Sequence, residues 1–184
     1  MNRCVGRRIL FFAAGIQILL MSGCSLRYET VPVVTDSTPE FVFSDAKMRR
    51  YRDDLRSVEL TAGTIEQYKD SPSSYAQDVA FVAFNDDGEP ETEGSCDYLH
   101  ADTDSEIYGL YGGINLFSRK NSTNVSAERL KWNAKSEQLI GSRASDTVRI
   151  EKDGTVITGS GFSASGVSGR FMFTGSVSGS IETE

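Results

Sequence analysis

Apolar and polar residues alternate two by two along most of this chain, and that pattern limits what it can fold into. Phe41 and Phe43 flank Val42, and Val58, Leu60 and Ala62 alternate with Glu59 and Thr61. Tyr108, Leu110, Ile114 and Leu116 share one parity with Gly112 between them, and Val148 and Ile150 alternate with Thr147 and Arg149. A period of two describes half-buried strands, because successive side chains of an extended chain point to opposite faces. The C-terminus carries the pattern furthest. Val167, Gly169, Phe171, Phe173, Gly175, Val177, Gly179 and Ile181 occupy one parity, and nearly every residue of the other is polar. Fully extended at roughly 3.3 Å per residue, that stretch would run about 50 Å, some three times an ordinary strand. A bend at Gly175 or Gly179, or an overhang beyond the sheet, is expected.

Turn signals punctuate the alternation. Asp87-Gly88 and Asp153-Gly154 suit tight hairpins, since both central residues tolerate positive φ, and residues 133–138, "NAKSEQ", form a longer polar turn. Residues 46–56, "AKMRRYRDDLR", place Met48, Tyr51 and Leu55 at helical spacing and predict a short helix. The sum is an antiparallel all-β domain of about ten strands. The chain's 17 glycines fit it, marking bends or close backbone approach within strands.

The first residues set an address. Arg3, Arg7 and Arg8 precede an apolar run at 9–21, too short to span a bilayer comfortably, and "MSGC" ends at Cys24. This resembles a bacterial lipobox, implying a signal at 1–23, cleavage after Gly23 and acylation of Cys24. An uncleaved anchor, or an ordinary signal with an incidental cysteine, is the alternative. Residues 24–40, with Pro32 and Pro39, read as a tether or as an irregular first strand, leaving 41–184 as a single domain. Removing the signal's three arginines leaves 16 basic against 26 acidic residues, a net charge of −10, which argues against nucleic acid as a partner. Beyond Cys24 only Cys96 remains, so no internal disulfide is expected.

Catalytic constellations are sparse. His100 is the only histidine, and no G-x-S-x-G elbow occurs. His100, Asp102, Asp104 and Glu106 share a parity, but zinc sites want several His or Cys ligands and calcium loops a glycine turn. A solvated strand face is the plainer reading, and neither a metal nor another cofactor is expected. "GSGFSASG" at 159–166 lacks the Lys-Ser/Thr of a P-loop. The chain reads as a binding protein, not an enzyme. "AFVAF" at 80–84 is apolar on both faces and is either core or the lining of a cavity.

Residues 84–166 and the alternating tail resemble the LptC family of periplasmic lipopolysaccharide-export proteins. The likeness rests on Asp87-Gly88 after a strand, "YGGINL" at 111–116, "AERLKWN" at 127–133 and the pattern V-x-I-x-x-x-G-x-x-I-x-G-x-G-F from Val148 to Phe162. It implies a twisted antiparallel, OstA-like β-jellyroll, open at both ends. It implies an inner-membrane ABC permease with its ATPase as one partner and an LptA-like bridge protein as the other, with lipopolysaccharide or another glycolipid as cargo. The lipid groove would use Phe81, Phe84, Leu110, Ile114, Trp132, Ile150, Phe162, Phe171 and Phe173. The bridging edge would run through Phe171, Phe173, Gly175, Val177, Gly179 and Ile181, with Gly159 and Gly161 leaving room for acyl chains. The lipobox departs from the uncleaved helix of most described members. The family resemblance implies the periplasmic face of the inner membrane, with the lipobox implying a lipid anchor there, although Ser25 after the cysteine also suits the outer membrane. The rival reading is a structural or adhesive surface lipoprotein with a closed β-sandwich, and a metal-assisted enzyme using His100 is a third.

Overall fold

Two aspartates with positive φ, Asp53 (48°) and Asp54 (64°), decide how the domain begins. The computed structural model describes residues 38–69, 71–166 and 168–181. The signal segment, Cys24 and most of the tether lie outside the described residues. Within them, β1 (Phe41–Arg52) and β2 (Leu55–Gln67) form a long antiparallel hairpin closed by Asp53-Asp54. Positive φ at both central residues matches the right-handed twist of the flanking strands. The helix expected over 46–56 is therefore absent. Helical spacing of three apolar residues lost to cross-strand pairing, in which Lys47, Arg49 and Arg56 converge on Glu59.

The chain continues as an antiparallel meander of β3 (Ser73–Phe84), β4 (Pro90–Asp102), β5 (Ile107–Ser118) and β6 (Thr123–Asn133). Asp87-Gly88 does lie in a hairpin loop, but only Gly88 has positive φ, at 78°. Asn85 organises that loop, its side-chain oxygen accepting from the Asp87 and Glu89 amides. After β6 come β7 (Gln138–Gly141), β8 (Thr147–Lys152), β9 (Thr155–Ser160), β10 (Phe162–Ser165), β11 (Phe171–Phe173) and β12 (Val177–Ile181). Among the described residues the sheet has twelve strands, two more than alternation suggested, because kinks divide what the sequence presents as continuous. Asp153-Gly154 joins β8 to β9 as expected, both residues having positive φ (49° and 72°).

A line of irregular residues crosses the meander. Asp45 lies opposite Gly63, Asp78 opposite Asp97, and Gly112-Gly113 opposite Glu128, each where the register slips or the backbone turns left-handed. Gly112 and Gly113 have φ of 72° and 50°, and the Asp97 carboxylate lies where a Gly112 side chain would begin. Bulges concentrate twist and bend a sheet. Along this line β6 forks. Its first half, Asn124–Ala127, pairs with β8, and its second, Leu130–Asn133, with β7. The last hairpin spans the fork: β9 and β12 extend the β8 side, while β10 and β11 extend the β7 side. The break falls at Gly161 (φ 67°), with Thr174 across from it and Gly175 across from Ser160. Gly175 N–H donates to the Ser160 carbonyl (3.0 Å) and Thr174 N–H to the Gly161 carbonyl (3.2 Å). The single tail strand of the sequence is thus two short ones, bent at Gly175, while Gly179 lies inside β12.

The result is an open antiparallel sheet folded toward itself as a β-jellyroll, without closing. Its core gathers Ile114, Leu130 and Val148, each exposing 2% or less, with Leu60, Val79, Leu110, Leu116, Ile150 and Phe162 around them. Leu130 stands at the fork of β6. Leu130→Ala is expected to cost about 2–5 kcal/mol, read as a lower midpoint of urea unfolding with an unchanged m-value.

Candidate functional site: an apolar face with open borders

Directly opposed residues of antiparallel strands share a face, so the register traces apolar rows across the whole sheet. One row runs Phe43, Ile65, Ala76, Leu99, Leu110, Leu130. A second runs Met48, Leu60, Phe81, Gly94, Leu116, Val125, Ile150, Ile157, Gly179. A third runs Ile114, Ala127, Val148, Gly159, Val177. The rows are buried where they cross β5 and β8, buried or half-buried on β6, and exposed where they reach the border strands β1 and β12. On β1, Phe43 and Met48 are each 51% exposed, and Phe41 stacks on Phe43 with centroids 6.3 Å apart. At the other end Phe171, Val177 and Ile181 are exposed.

These exposed ends coincide with unpaired strand borders. Among the described residues, strand β1 bonds only β2, β11 only β10, and β12 only β9. An edge strand keeps a row of free N–H and C=O groups that another sheet can satisfy. The closed sandwich required by the rival reading is not the arrangement found.

The residues expected to form a groove fall into three settings. Leu110, Ile114, Ile150 and Phe162 are core, exposing 2–4%. Phe81 and Phe173 pack half-buried against that core, Phe173 facing Phe162 across β10 and β11 at 5.5 Å. Trp132 is half-buried in line with Tyr108 and Leu139, while Phe84 ends β3 with the Arg56 guanidinium 5.2 Å from its ring centre. Phe171 is exposed on the free border. The glycines make room for the protein's own rings: Phe173 fills the space above Gly159, and Phe81 and Leu116 that above Gly94. In "AFVAF", Phe81 faces the core, whereas Ala80 and Val82 face outward into a shallow depression with Phe117. The second apolar border, β1, was legible only as alternation at Phe41 and Phe43. Its status as an edge depends on what lies beside it.

Charge is organised separately. Between Lys47 and Arg56 five cations gather at the first hairpin in an otherwise acidic chain. Lys47 (2.7 Å), Arg49 (3.0 Å) and Arg56 (3.1 Å) hold Glu59, whose carboxyl is pushed down to about 2 by the hydrogen bonds from Lys47 and Arg49. Arg50 and Arg52, exposed beside Tyr51 and Leu55, make no ion pair among the described residues. At the fork, Asp146 is 6% exposed. It accepts from Arg129 Nη2 at 2.7 Å and from the Arg143 amide at 2.8 Å, contacts that lower its pKa, Arg129 first. Cys96 is buried, and desolvation pushes its thiol up to about 11, far from reactive. His100 stacks on Tyr75 and lies 3.1 Å from Ser73 Oγ. Among the described residues no group of His, Cys, Asp and Glu is arranged to hold a metal.

Together these features define a class: an open-bordered antiparallel β-jellyroll with one apolar face continuous from edge to edge. The chain belongs to the LptC-related family of lipopolysaccharide assembly, whose sequence profile matches residues 8–182. The resemblance carried by residues 84–166 thus extends over nearly the whole chain. The chain is also 26% identical over 175 residues to an uncharacterized protein of Treponema pallidum (strain Nichols), a match covering 92% of this chain and 87% of that one. LptC proteins are transport and binding proteins, periplasmic and associated with the inner membrane.

Glu59 gives a pH dependence of definite sign. Its folded pKa of about 2 lies below the ordinary 4.5, so its contribution is fully present above pH 4.5 and lost as pH falls toward 2. Asp146, also depressed, acts in the same direction. Glu59→Gln and Asp146→Asn should each lower stability at pH 7 and flatten its decline on acidification, as followed by thermal unfolding across pH 2–7.

Proposed function

We propose that this protein relays lipopolysaccharide, or a related glycolipid, from an inner-membrane ABC permease to an LptA-like periplasmic bridge, and that it does so by binding alone. The coincidence of exposed apolar row ends with unpaired borders at β1 and at β11 and β12 carries this reading. Burying acyl chain contributes about 0.8 kcal/mol per CH₂, so a multi-chain lipid needs only a continuous apolar surface. The sheet's interior is filled by its own side chains at Ile114, Leu130 and Val148. Cargo therefore enters at an exposed end and parts the two sides of the jellyroll as it advances.

Strand addition then extends the route. A bridge protein pairing with a free border gains main-chain hydrogen bonds, and the alternating side chains set register. Phe171, Val177 and Ile181 would continue the apolar lining into the next domain. The unpaired Arg50 and Arg52, close to Met48 and Leu55, suit the phosphates of an anionic headgroup whose chains lie inside. Acylation of Cys24 would hold the domain at the membrane where the lipid leaves the permease.

The test places a photocrosslinking residue at Phe43 or Phe173 in the full chain, in membranes supplied with ATP. Lipopolysaccharide adducts are expected at both positions. Phe171→Asp and Ile181→Asp, both on the exposed border, should cut capture of the bridge protein at least about ten-fold without lowering the thermal midpoint. Adducts at neither position, with bridge capture unchanged in both aspartate variants, would end the relay reading.

A further inference from the structure

The face of the sheet turned away from the core carries a second constellation. Glu66 opposes Tyr75, which opposes His100, and Tyr98 opposes Tyr111 in the neighbouring row. With Tyr68 they line a concavity of about 580 Å³, within the range of small-molecule sites. These side chains lie on the opposite face from Ile65, Leu99 and Leu110. Tyr75, Tyr98 and Tyr111 are 46%, 55% and 37% exposed, unusual for three aromatic residues converging on one surface. The position of Gly109 lets the Tyr111 ring fold down across it.

We propose that this outer groove of β2–β5 binds an organic ammonium ion. Three observations select that chemistry. The Tyr68 ring meets Tyr75 edge to face at 5.7 Å, and Tyr75 stacks on His100 at 4.9 Å, so ring planes in two orientations border one space. Aromatic faces are electron-rich and attract a cation within about 6 Å. Glu66 is half-buried and accepts the Tyr68 hydroxyl at 2.9 Å, which orients its carboxylate. No lysine or arginine lines the groove, and Glu66 makes no ion pair among the described residues. A carboxylate left without a counter-charge beside four tyrosines complements an ammonium group and repels an anion. A neutral sugar would use the rings and leave the carboxylate's charge unanswered. The ligand is a soluble amine or an amine-bearing lipid headgroup, and the site is independent of the apolar interior.

Titration of the full chain with choline, followed by NMR or calorimetry, tests the assignment. Saturable binding is expected, and 3,3-dimethylbutan-1-ol, the neutral isostere of choline, should bind at least about five-fold more weakly. Tyr98→Ala and Glu66→Gln should each weaken choline by a similar factor. Phe117→Ala, exposed elsewhere on the outer face, should leave it unchanged. Retention on phosphatidylcholine vesicles, reversed by free choline, would support a headgroup as the source, and choline binding without retention would support a soluble amine. Absence of saturable binding overturns the proposal, as does equal affinity for the neutral isostere or for methyl glucoside, or indifference to both substitutions. Lipopolysaccharide crosslinking at Phe43 should be the same in Tyr98→Ala as in the parent protein, which separates this site's failure from failure of the relay.

Discussion

A backbone amide or carbonyl at the border of a sheet must bond to water or to another strand, and this domain leaves that choice open at both ends. Among the described residues, strands β1, β11 and β12 each bond a neighbour on one side only. Most proteins blunt such borders with charge, proline or a covering loop. Strand β1 carries such charge at Lys47, Arg49, Arg50 and Arg52, yet the borders also retain Phe41, Phe43, Phe171, Val177 and Ile181, all exposed. Apolar side chains beside unsatisfied backbone form a surface that gains twice from pairing, once from main-chain bonds and once from burial.

Leaving borders open sets a problem for the core, since a sheet with one apolar face must cover that face without help from helices. The line of left-handed and bulged positions from Asp45 to Gly112-Gly113 solves it. It bends each long strand at the same height, so that the two halves of one sheet face each other. The fork in β6 and the break at Gly161 and Gly175 carry the bend through to the last hairpin. Arg129 and Asp146 fasten the loop between the two arms. Because the bend is built from backbone conformation, the outer face is left with no part in the core, and its tyrosines are free for other chemistry.

How much of this was written legibly in the chain depended on distance. Alternation is local, so the all-β class and the turns at Asp153-Gly154 and 133–138 could be read directly, while the bend in the tail was narrowed only to Gly175, Gly179 or an overhang. The hairpin at Asp53-Asp54 was missed because left-handed aspartates look like ordinary charges, while Met48, Tyr51 and Leu55 happen to sit at helical spacing. Of the apolar residues chosen as groove, Leu110, Ile114, Ile150 and Phe162 lie in the core, whereas Phe84 ends β3 on the parity of Ala80 and Val82. Parity cannot tell a core position such as Ile114 from a rim position such as Phe171. That difference lies in how many strands flank each one. The outer tyrosines were illegible for a related reason: Tyr75, Tyr98 and Tyr111 are neighbours only through register.

The two faces divide the work by the same rule that built them. A one-residue slip in any strand pairing would exchange inner and outer sets, putting tyrosines and Glu66 into the core and Leu110 and Leu130 into water. The bulges at Tyr111/Ile114 and Ser95/Tyr98 fix the register where this exchange would be most costly, between the core residues Leu110 and Ile114. Immediately beyond the shift in the β4–β5 pairing, Tyr98 stands opposite Tyr111. The bend that closes the apolar interior and the alignment that gathers the aromatic rings therefore have one origin.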